Sequence, residues 1–299
     1  FFSSRRRHTR FRNVTGVQTC ALPILTLSAT DANRFVLRLA RKLTGRSKIC
    51  VMDWCYHGTV DETLAILGSD GGVVSRPGAI GPAVDPSLTT RVVPFNDARA
   101  LEEALSHGDV ACVLMEPALT NIGIVLPEPG YLDEVRRITR RHDVLLVIDE
   151  THTICAGPGG CTQLWNLEPD FFVIGKPIGG GVPAAAYGMT AEIAGRLETI
   201  LLNDDADVSG IGGTLSANAL SLAAIRATLF STLRQEDFDA MIPLAEAWTD
   251  GVRRVYQGAG LDWHVQRLGC RAEYWFCPPP RTGAQAAAAI DHEIGRAHV

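Results

Sequence analysis

Residues 144–150 read VLLVIDE, an uninterrupted apolar run that ends in two carboxylates. Its shortness and its branched residues predict a strand buried on both faces, because a strand with one face in water would alternate apolar and polar residues. An amphipathic helix is predicted just before it, since YLDEVRRITRRH (131–142) places Leu132, Val135 and Ile138 on one side. This helix-then-strand pattern indicates one unit of an α/β fold.

The same alternation extends outward from this unit in both directions. Further strands are predicted at four short apolar runs, 48–53, 91–95, 110–116 and 171–175. Further helices are predicted at 31–44, 100–107, 191–202, 216–234 and 239–258. Short strands separated by amphipathic helices predict an α/β fold in which helices sandwich a mostly parallel sheet.

Two stretches depart from this alternation. Residues 71–87 are rich in Gly and Pro and are predicted to form a loop. After Gly260, the segments WHV (263–265) and CRAEYWFC (270–277) predict the start of a second sheet. We therefore expect a large domain at 25–259 and the beginning of a truncated small domain at 260–293.

The ends of the chain differ from its body in charge. Of the 28 basic residues, five arginines lie in residues 1–24 and one in 294–299, and neither segment contains an acid. The remaining basic residues face 33 Asp and Glu, so the body is acidic and nucleic acid is not expected to be the main partner. Both end segments resemble translated sequencing-adapter sequence, and we expect the rest to be a fragment of a longer protein.

Composition excludes several other classes of protein. No apolar stretch approaches the roughly 20 residues of a membrane span. The cysteines outside 1–24 form no Cys-x-x-Cys pair, which argues against a disulfide framework and against a structural zinc site. These features predict a cytoplasmic protein that does not associate with a membrane.

Three features fall where an open parallel sheet binds its ligands, at the carboxyl ends of strands and at helix N-termini. Ser28-Ala29-Thr30 leads into the first long helix, and its hydroxyls and free N–H groups suit a phosphate or an ordinary helix cap. Asp149 ends the run VLLVID and could serve as a plain strand-end acid, a magnesium ligand or the partner of a protonated ring nitrogen. The third feature is a lysine.

Lys176 directly follows the predicted strand FFVIG (171–175). The chain has only three lysines, of which Lys42 lies beside Arg41 on a helix and Lys48 opens a strand. A partly desolvated amine at a strand end can lose its proton and act as a nucleophile, although a solvated loop lysine is the simpler interpretation. Phosphate at a helix cap, carboxylate at a ring nitrogen and amine at an aldehyde together describe pyridoxal phosphate.

Other chemistries fit less well. VLLVIDE also matches the strand-then-acid pattern of an ATPase, but no G-x-x-x-x-G-K-[ST] loop occurs, because Pro177 follows Gly175-Lys176. No G-x-G-x-x-G follows a first strand. Zinc hydrolysis would need His57, His152 and a cysteine, and their spacing is not that of a metal site.

The chain resembles the class III (fold type I) pyridoxal-phosphate aminotransferases, and within them the branch nearest glutamate-1-semialdehyde aminomutase. The resemblance covers residues 25–293 and rests on six segments in family order: LSATDANRFVLRLARKLTGRSKI (27–49), CYHG (55–58), VLMEPALTNIGIVLPEPGYL (113–132), VLLVIDETHT (144–153), VIGKPIGGGVPAAAYG (173–188) and GGTLSANAL (212–220). It implies the large domain of that fold and a homodimer with a shared active site.

The resemblance also implies roles for individual residues. Lys176 would form a Schiff base with the cofactor and shuttle a proton at the substrate, and Asp149 would pair with the pyridinium nitrogen. Tyr56 would stack on the ring, and Thr214 would reach the phosphate bound by the neighbouring subunit. The remaining residues implied near the cofactor are Ser28, Ala29, Thr30, Glu116, Asn121 and Thr151.

Some positions depart from the family pattern. Ala29 replaces the usual glycine and Asp31 the usual glutamate, and Thr151-His152 stands under the ring where the family commonly has Val and another residue. His152 would contact substrate or, as we favour, satisfy a loop carbonyl. The function implied is amino-group transfer between an amino compound and a keto acid or aldehyde; the alternatives are an intramolecular 2,1-aminomutase and an inactive fragment.

Overall fold

The computed structural model describes residues 23–81, 84–203 and 212–290. Its strands are β1 (Ile24–Thr26), β2 (Lys48–Met52), β3 (Ala65–Leu67), β4 (Val73–Ser75), β5 (Thr90–Val93), β6 (Val110–Met115), β7 (Leu145–Asp149), β8 (Phe171–Ile174), β9 (Ala185–Met189), β10 (His264–Leu268) and β11 (Arg271–Trp275). Its helices are α1 (Ala29–Thr44), α2 (Ala98–Ser106), α3 (Tyr131–Arg141), α4 (Gly160–Leu164), α5 (Ala191–Asn203), α6 (Ala219–Ser231), α7 (Gln235–Gly258) and α8 (Gly283–Ala288).

Seven strands form the main sheet in the order β1-β9-β8-β7-β6-β2-β5. The five neighbours from β8 to β5 pair in parallel, whereas β9 pairs antiparallel with both β8 and β1. The predicted mostly parallel α/β sheet is confirmed. Every residue of β6 and β7 is buried, as expected for strands covered by helices on both faces.

Helix α1 packs across the sheet over β6, β8 and β9. Its N-cap is Ser28, whose hydroxyl accepts a hydrogen bond from the N–H of Asp31, and it ends at Gly45, which has a left-handed φ of 68°. The apolar side chains of Val36, Leu37 and Leu39 are buried against the sheet, each contributing about 1.5–3 kcal/mol. Capping and packing together fix the position of the helix N-terminus, which lies at the cavity described below.

Several expectations need correction. Residues 71–87 are not a loop throughout, because Val73–Ser75 forms β4 and pairs antiparallel with β3. Strand β4 was not predicted because three residues are too few to show an alternating apolar and polar pattern. Helix α6 is shorter than the predicted 216–234, and α7 begins at Gln235 rather than 239. Strands β1 and β9 were not predicted at all.

The predicted second sheet is present as the antiparallel hairpin β10–β11, which packs on α7. It also contacts the main body, because the indole of Trp275 fills the space beside Gly123, where a Cβ would lie 2.6 Å from Cη2. The division at 259/260 stays a prediction. The adapter-like ends were predicted at 1–24 and 294–299, and the structure does not describe residues 1–22 and 291–299. Ile24, which belongs to the first of these ends, is described and pairs with Tyr187 in the main sheet.

Among the described residues, no helix combines the length and the apolar character that crossing a membrane requires.

Candidate active site

The carboxyl ends of β6, β7 and β8 and the N-terminus of α1 surround a cavity of about 410 Å³. It brings together residues that are far apart in the sequence. Eight of the ten residues expected near the cofactor line it: Ser28, Ala29, Thr30, Tyr56, Glu116, Asp149, Thr151 and Lys176. The rest of the lining consists of Leu27, His57, Gly58, His152 and the segment 181–184.

Asp149 ends β7, and its carboxylate is buried and fully hydrogen-bonded. Oδ2 accepts from Asn33 Nδ2 and lies 2.9 Å from Nδ1 of His57, while Oδ1 accepts from the N–H of Thr151. Burial opposes ionisation of this carboxyl, but the hydrogen bond and the charge of His57 outweigh burial and hold its pKa below the usual value. Asp149 is therefore an anion inside the protein.

His57 is a site residue whose role the sequence did not reveal. It is completely buried, and burial opposes its charge, but neighbouring Cys55 and the Asp149 carboxylate together raise its pKa well above the usual 6.5. The two residues form an ion pair although 92 positions separate them. Asn33 donates to the same oxygen, and it was not predicted from the sequence because it too lies far from Asp149 along the chain. The one sequence feature that could have identified Asn33 is its position, as a polar residue, on the buried face of α1.

Lys176 follows β8 with one intervening glycine, so its predicted place at a strand end is confirmed. Its φ of 44° lies in the left-handed region, which is costly for a residue with a Cβ and turns the chain out of the sheet. Partial burial lowers the pKa of its amine, although the carboxylates of Asp149 and Glu116 act in the opposite direction. The result is an amine that is easier to deprotonate than a solvated lysine.

The N-terminus of α1 forms another wall of the cavity. Ser28, Ala29 and Thr30 are half-buried, and the helix presents its first N–H groups there. The Thr30 hydroxyl accepts from the N–H of Thr59. Gly58 packs so closely that an added Cβ would lie 3.0 Å from Thr30 Cβ. This wall is suited to an anion.

Glu116 follows β6 and is linked to His152 through Thr120. The Thr120 hydroxyl hydrogen-bonds with Glu116 Oε2, and it lies 2.8 Å from Nδ1 of His152. The favoured expectation for His152 was a loop carbonyl, so the partner found here corrects it. Burial, followed by the positive charges of Lys176 and Arg271, lowers the pKa of His152 to about 4, and its ring is neutral at pH 7.

Two expected residues are not part of this cavity. Thr214 and Asn121 are exposed, and neither lines it. Tyr56 is half-buried in the wall, and its N–H lies 3.3 Å from Glu116 Oε1. The described residues contain no group of three or more His, Cys, Asp and Glu side chains that could hold a metal ion.

Comparison with known proteins assigns the chain to a family. The model of the family Aminotransferase class-III matches residues 12–248. The chain is 35% identical over 282 residues to a glutamate-1-semialdehyde 2,1-aminomutase of Thermomicrobium roseum, covering 93% of this chain and 64% of that protein.

Solved structures agree with this similarity. A glutamate-1-semialdehyde-aminomutase from Pseudomonas aeruginosa PAO1 superposes with a TM-score of 0.87 at 47% identity, over 90% of this chain and 60% of that one. An omega-transaminase from Sphaerobacter thermophilus superposes with a TM-score of 0.77 at 27% identity, over 91% and 63%. The chain thus spans about 60% of the length of such relatives. It belongs to the class III aminotransferase family.

Proposed function

We propose that this chain is the greater part of a pyridoxal-phosphate-dependent transaminase, which transfers an amino group between an amino acid or amine and a keto acid or aldehyde. The observation that carries the proposal is the cavity itself. It is faced by the amine of Lys176 and the ionised carboxylate of Asp149, which lie at the ends of adjacent strands, beside the N-terminus of α1.

The residues of the cavity fit this cofactor in three respects. A helix N-terminus suits its phosphate, and a buried anion suits its protonated ring nitrogen. The hydroxyl of Thr151 is buried without a hydrogen-bond partner among the described residues, so a polar group remains to be satisfied in this wall. When bound, pyridoxal phosphate supplies an aldehyde that condenses with amines and a ring that accepts negative charge from the substrate carbon.

Lys176 would hold the cofactor and move the substrate proton. Its lowered pKa gives a larger fraction of neutral amine near pH 7 than a solvated lysine has, and the neutral form is the nucleophile and the base. Its left-handed backbone directs the residue out of the sheet at the cavity wall.

Asp149 would keep the ring nitrogen protonated. His57 and Asn33 support this role by donating to its carboxylate, which stays ionised despite burial. Ser28, Ala29 and Thr30 would bind the phosphate, and Tyr56 would pack on the ring. Glu116 and Thr151 would complete the cofactor site.

An intramolecular aminomutase is the second candidate. The aminomutase relatives described above, at 35% and 47% identity, favour it. A transaminase needs a keto acid to regenerate its cofactor, whereas a mutase does not. We therefore expect turnover of the longer parent protein to require pyruvate or 2-oxoglutarate; turnover of an amino aldehyde without either acid would select the mutase instead.

We also propose that the protein is a cytoplasmic homodimer in which Thr214 contacts the cofactor phosphate of the partner. Thr214 is exposed and does not line the cavity of its own chain, as this role requires. The neighbouring helix α6 carries apolar side chains that another subunit could cover, and those exposed are Leu220, Leu222 and Phe230. Sedimentation velocity with and without pyridoxal phosphate tests the dimer.

Covalent trapping tests the cofactor assignment directly. The protein is incubated with pyridoxal phosphate, reduced with borohydride and mapped by peptide mass spectrometry. We expect the label on Lys176, and Lys176→Arg should remove it while leaving Lys48, a half-buried control, unlabelled. Absence of label, or equal label on Lys48, would overturn the proposal; a colourless, unlabelled protein is the behaviour of an inert fragment.

A further inference from the structure

Three polar side chains form a connected chain at the cavity wall. His152 and Glu116, which follows β6, both line the cavity, and the buried Thr120 lies between them. Both links are hydrogen bonds through the single hydroxyl of Thr120. The other carboxylate oxygen of Glu116 lies 3.3 Å from the N–H of Tyr56, which always donates.

One hydroxyl has one proton, and this restricts the chain to two arrangements. If Glu116 is ionised, Thr120 donates to it and must accept from Nδ1–H of His152, so Nε2 carries no proton. If Glu116 is protonated, it donates to Thr120, and Thr120 donates to Nδ1, so Nε2 carries the proton. The protonation of Glu116 therefore sets the tautomer of His152.

We propose that Glu116, Thr120 and His152 form a proton relay, in which Nε2 of His152 exchanges a proton with the cavity and Glu116 stores it. A proton that binds at Nε2 displaces the proton of Nδ1 to Thr120, and the Thr120 proton moves to the Glu116 carboxylate. Three bonds to hydrogen form, at Nε2, at the Thr120 hydroxyl and at Glu116, and two break, at Nδ1 and at the Thr120 hydroxyl. The net change is one proton taken from the cavity and gained by Glu116. The imidazole is neutral before and after.

The charges around the relay favour this route over a stable imidazolium. Lys176 and Arg271 face His152 and oppose a positive charge there, as does His57, while Asp149 acts in the other direction. Burial raises the pKa of Glu116, and Asp149 adds to this, whereas His57, the Thr120 hydroxyl and the Tyr56 N–H act against it. A proton is thus better accommodated on the carboxylate than on the ring.

The position of Thr120 is held independently of its side chain. Its carbonyl accepts from the guanidinium of Arg271, which lies on β11 and also pairs with Glu273. Substitution of the Thr120 side chain therefore leaves this anchor in place. In amino-group transfer, the relay would give or take the protons that the substrate exchanges, and this role rests on the proposed function. The tautomer change of His152 does not depend on the proposed function.

Nuclear magnetic resonance of the ¹⁵N-histidine-labelled chain, without added cofactor, tests the relay. The signals of His152 are assigned by their loss in His152→Gln. As the pH falls from about 9 to 5, we expect the neutral ring to change from the Nδ1–H to the Nε2–H tautomer. Thr120→Ser keeps the hydroxyl and should retain the change. Thr120→Val and Glu116→Gln should each give one tautomer throughout.

The outcome is decisive in either direction. A single tautomer at all pH values in the unaltered chain overturns the relay, and so does a tautomer change that survives in Thr120→Val. If that variant does not fold, Glu116→Gln carries the same test. In the holoenzyme, loss of the hydroxyl should lower kcat about 100-fold with rescue by serine; if the tautomer change is present but kcat is unaffected, the relay stands and its role in turnover fails.

Discussion

Asp149 ends one strand and Glu116 follows the adjacent parallel strand; both line one cavity and are each 3% exposed, yet their protonation is predicted to differ. Asp149 faces a cationic His57 and the amide of Asn33, and its pKa is lowered. Within the part of the chain that the structure describes, Glu116 has the Thr120 hydroxyl and the Tyr56 N–H as hydrogen-bond partners, and burial raises its pKa.

Position at a strand end therefore does not decide the charge of a carboxyl group. Burial acts on both groups in the same direction, and only Asp149 has a direct charged partner that outweighs it. The site therefore combines a carboxylate that stays ionised near neutral pH with a carboxyl group that takes up a proton more readily.

Removing the charge of Asp149 should have the largest effect on stability. Asp149→Asn leaves His57 without its counter-charge, and we expect the free energy of unfolding at pH 6 to fall by about 3 kcal/mol. Because the folded-state pKa of Asp149 is lowered, its contribution is full above pH 3.8 and is lost as the pH falls through that lower value.

Urea unfolding at pH 6 and at pH 3 measures this loss. The control Asp109→Asn removes a half-exposed partner of Arg91 and should cost about 1 kcal/mol or less. Equal losses in the two variants would contradict the buried ion pair.

Removing the cation should give a loss of opposite pH dependence. His57→Gln should lower the free energy of unfolding by about 2 kcal/mol at pH 6. The pKa of His57 is raised, so its contribution is complete below pH 6.5 and disappears as the pH rises through the folded-state pKa. Unfolding curves at intervals from pH 6 upward measure this decline; His142→Gln, which alters a half-buried histidine paired with Glu102, is the control with a smaller loss.

Neutralising the second carboxyl should be milder. Glu116→Gln resembles the protonated form and should change the free energy of unfolding by about 1 kcal/mol. The raised pKa of Glu116 means that folding favours its protonated form, so any advantage of the variant should grow as the pH rises past 4.5. Calorimetry at pH 5 and pH 8 tests the sign, and a large loss at pH 8 would indicate that Glu116 is an anion like Asp149.

The smallest effect concerns the amine of Lys176, whose pKa both carboxylates influence. Both carboxylates raise the pKa of Lys176, so Asp149→Asn should lower it further, and Glu116→Gln should lower it less because Glu116 is more often neutral. Competitive acetylation over a range of pH, with Lys48 as internal reference, gives both values. The reverse order would remove the distinction between the two groups.

Local patterns predicted the framework because each buried strand and each helix carries its own periodicity. The runs that became β6, β7 and β8 were identified, and with them the strand-end positions of Glu116, Asp149 and Lys176. The hairpin β3–β4 was missed because three-residue strands have no detectable period. Strand β9 was missed because AAYGM is as compatible with a helix or loop as with a strand.

The order of the residues along the chain determined which groups occur at strand ends and helix caps, since hydrophobic burial imposes those elements wherever the periodicity occurs. The neighbours of each group depend on how the chain folds in space: His57 lies beside Asp149, Thr120 lies between Glu116 and His152, and the charge of each group follows from these contacts. Such contacts join residues far apart in the chain, 116 positions for Asn33 and Asp149, and electrostatic energy depends on distance in space and on burial, neither of which a linear pattern contains.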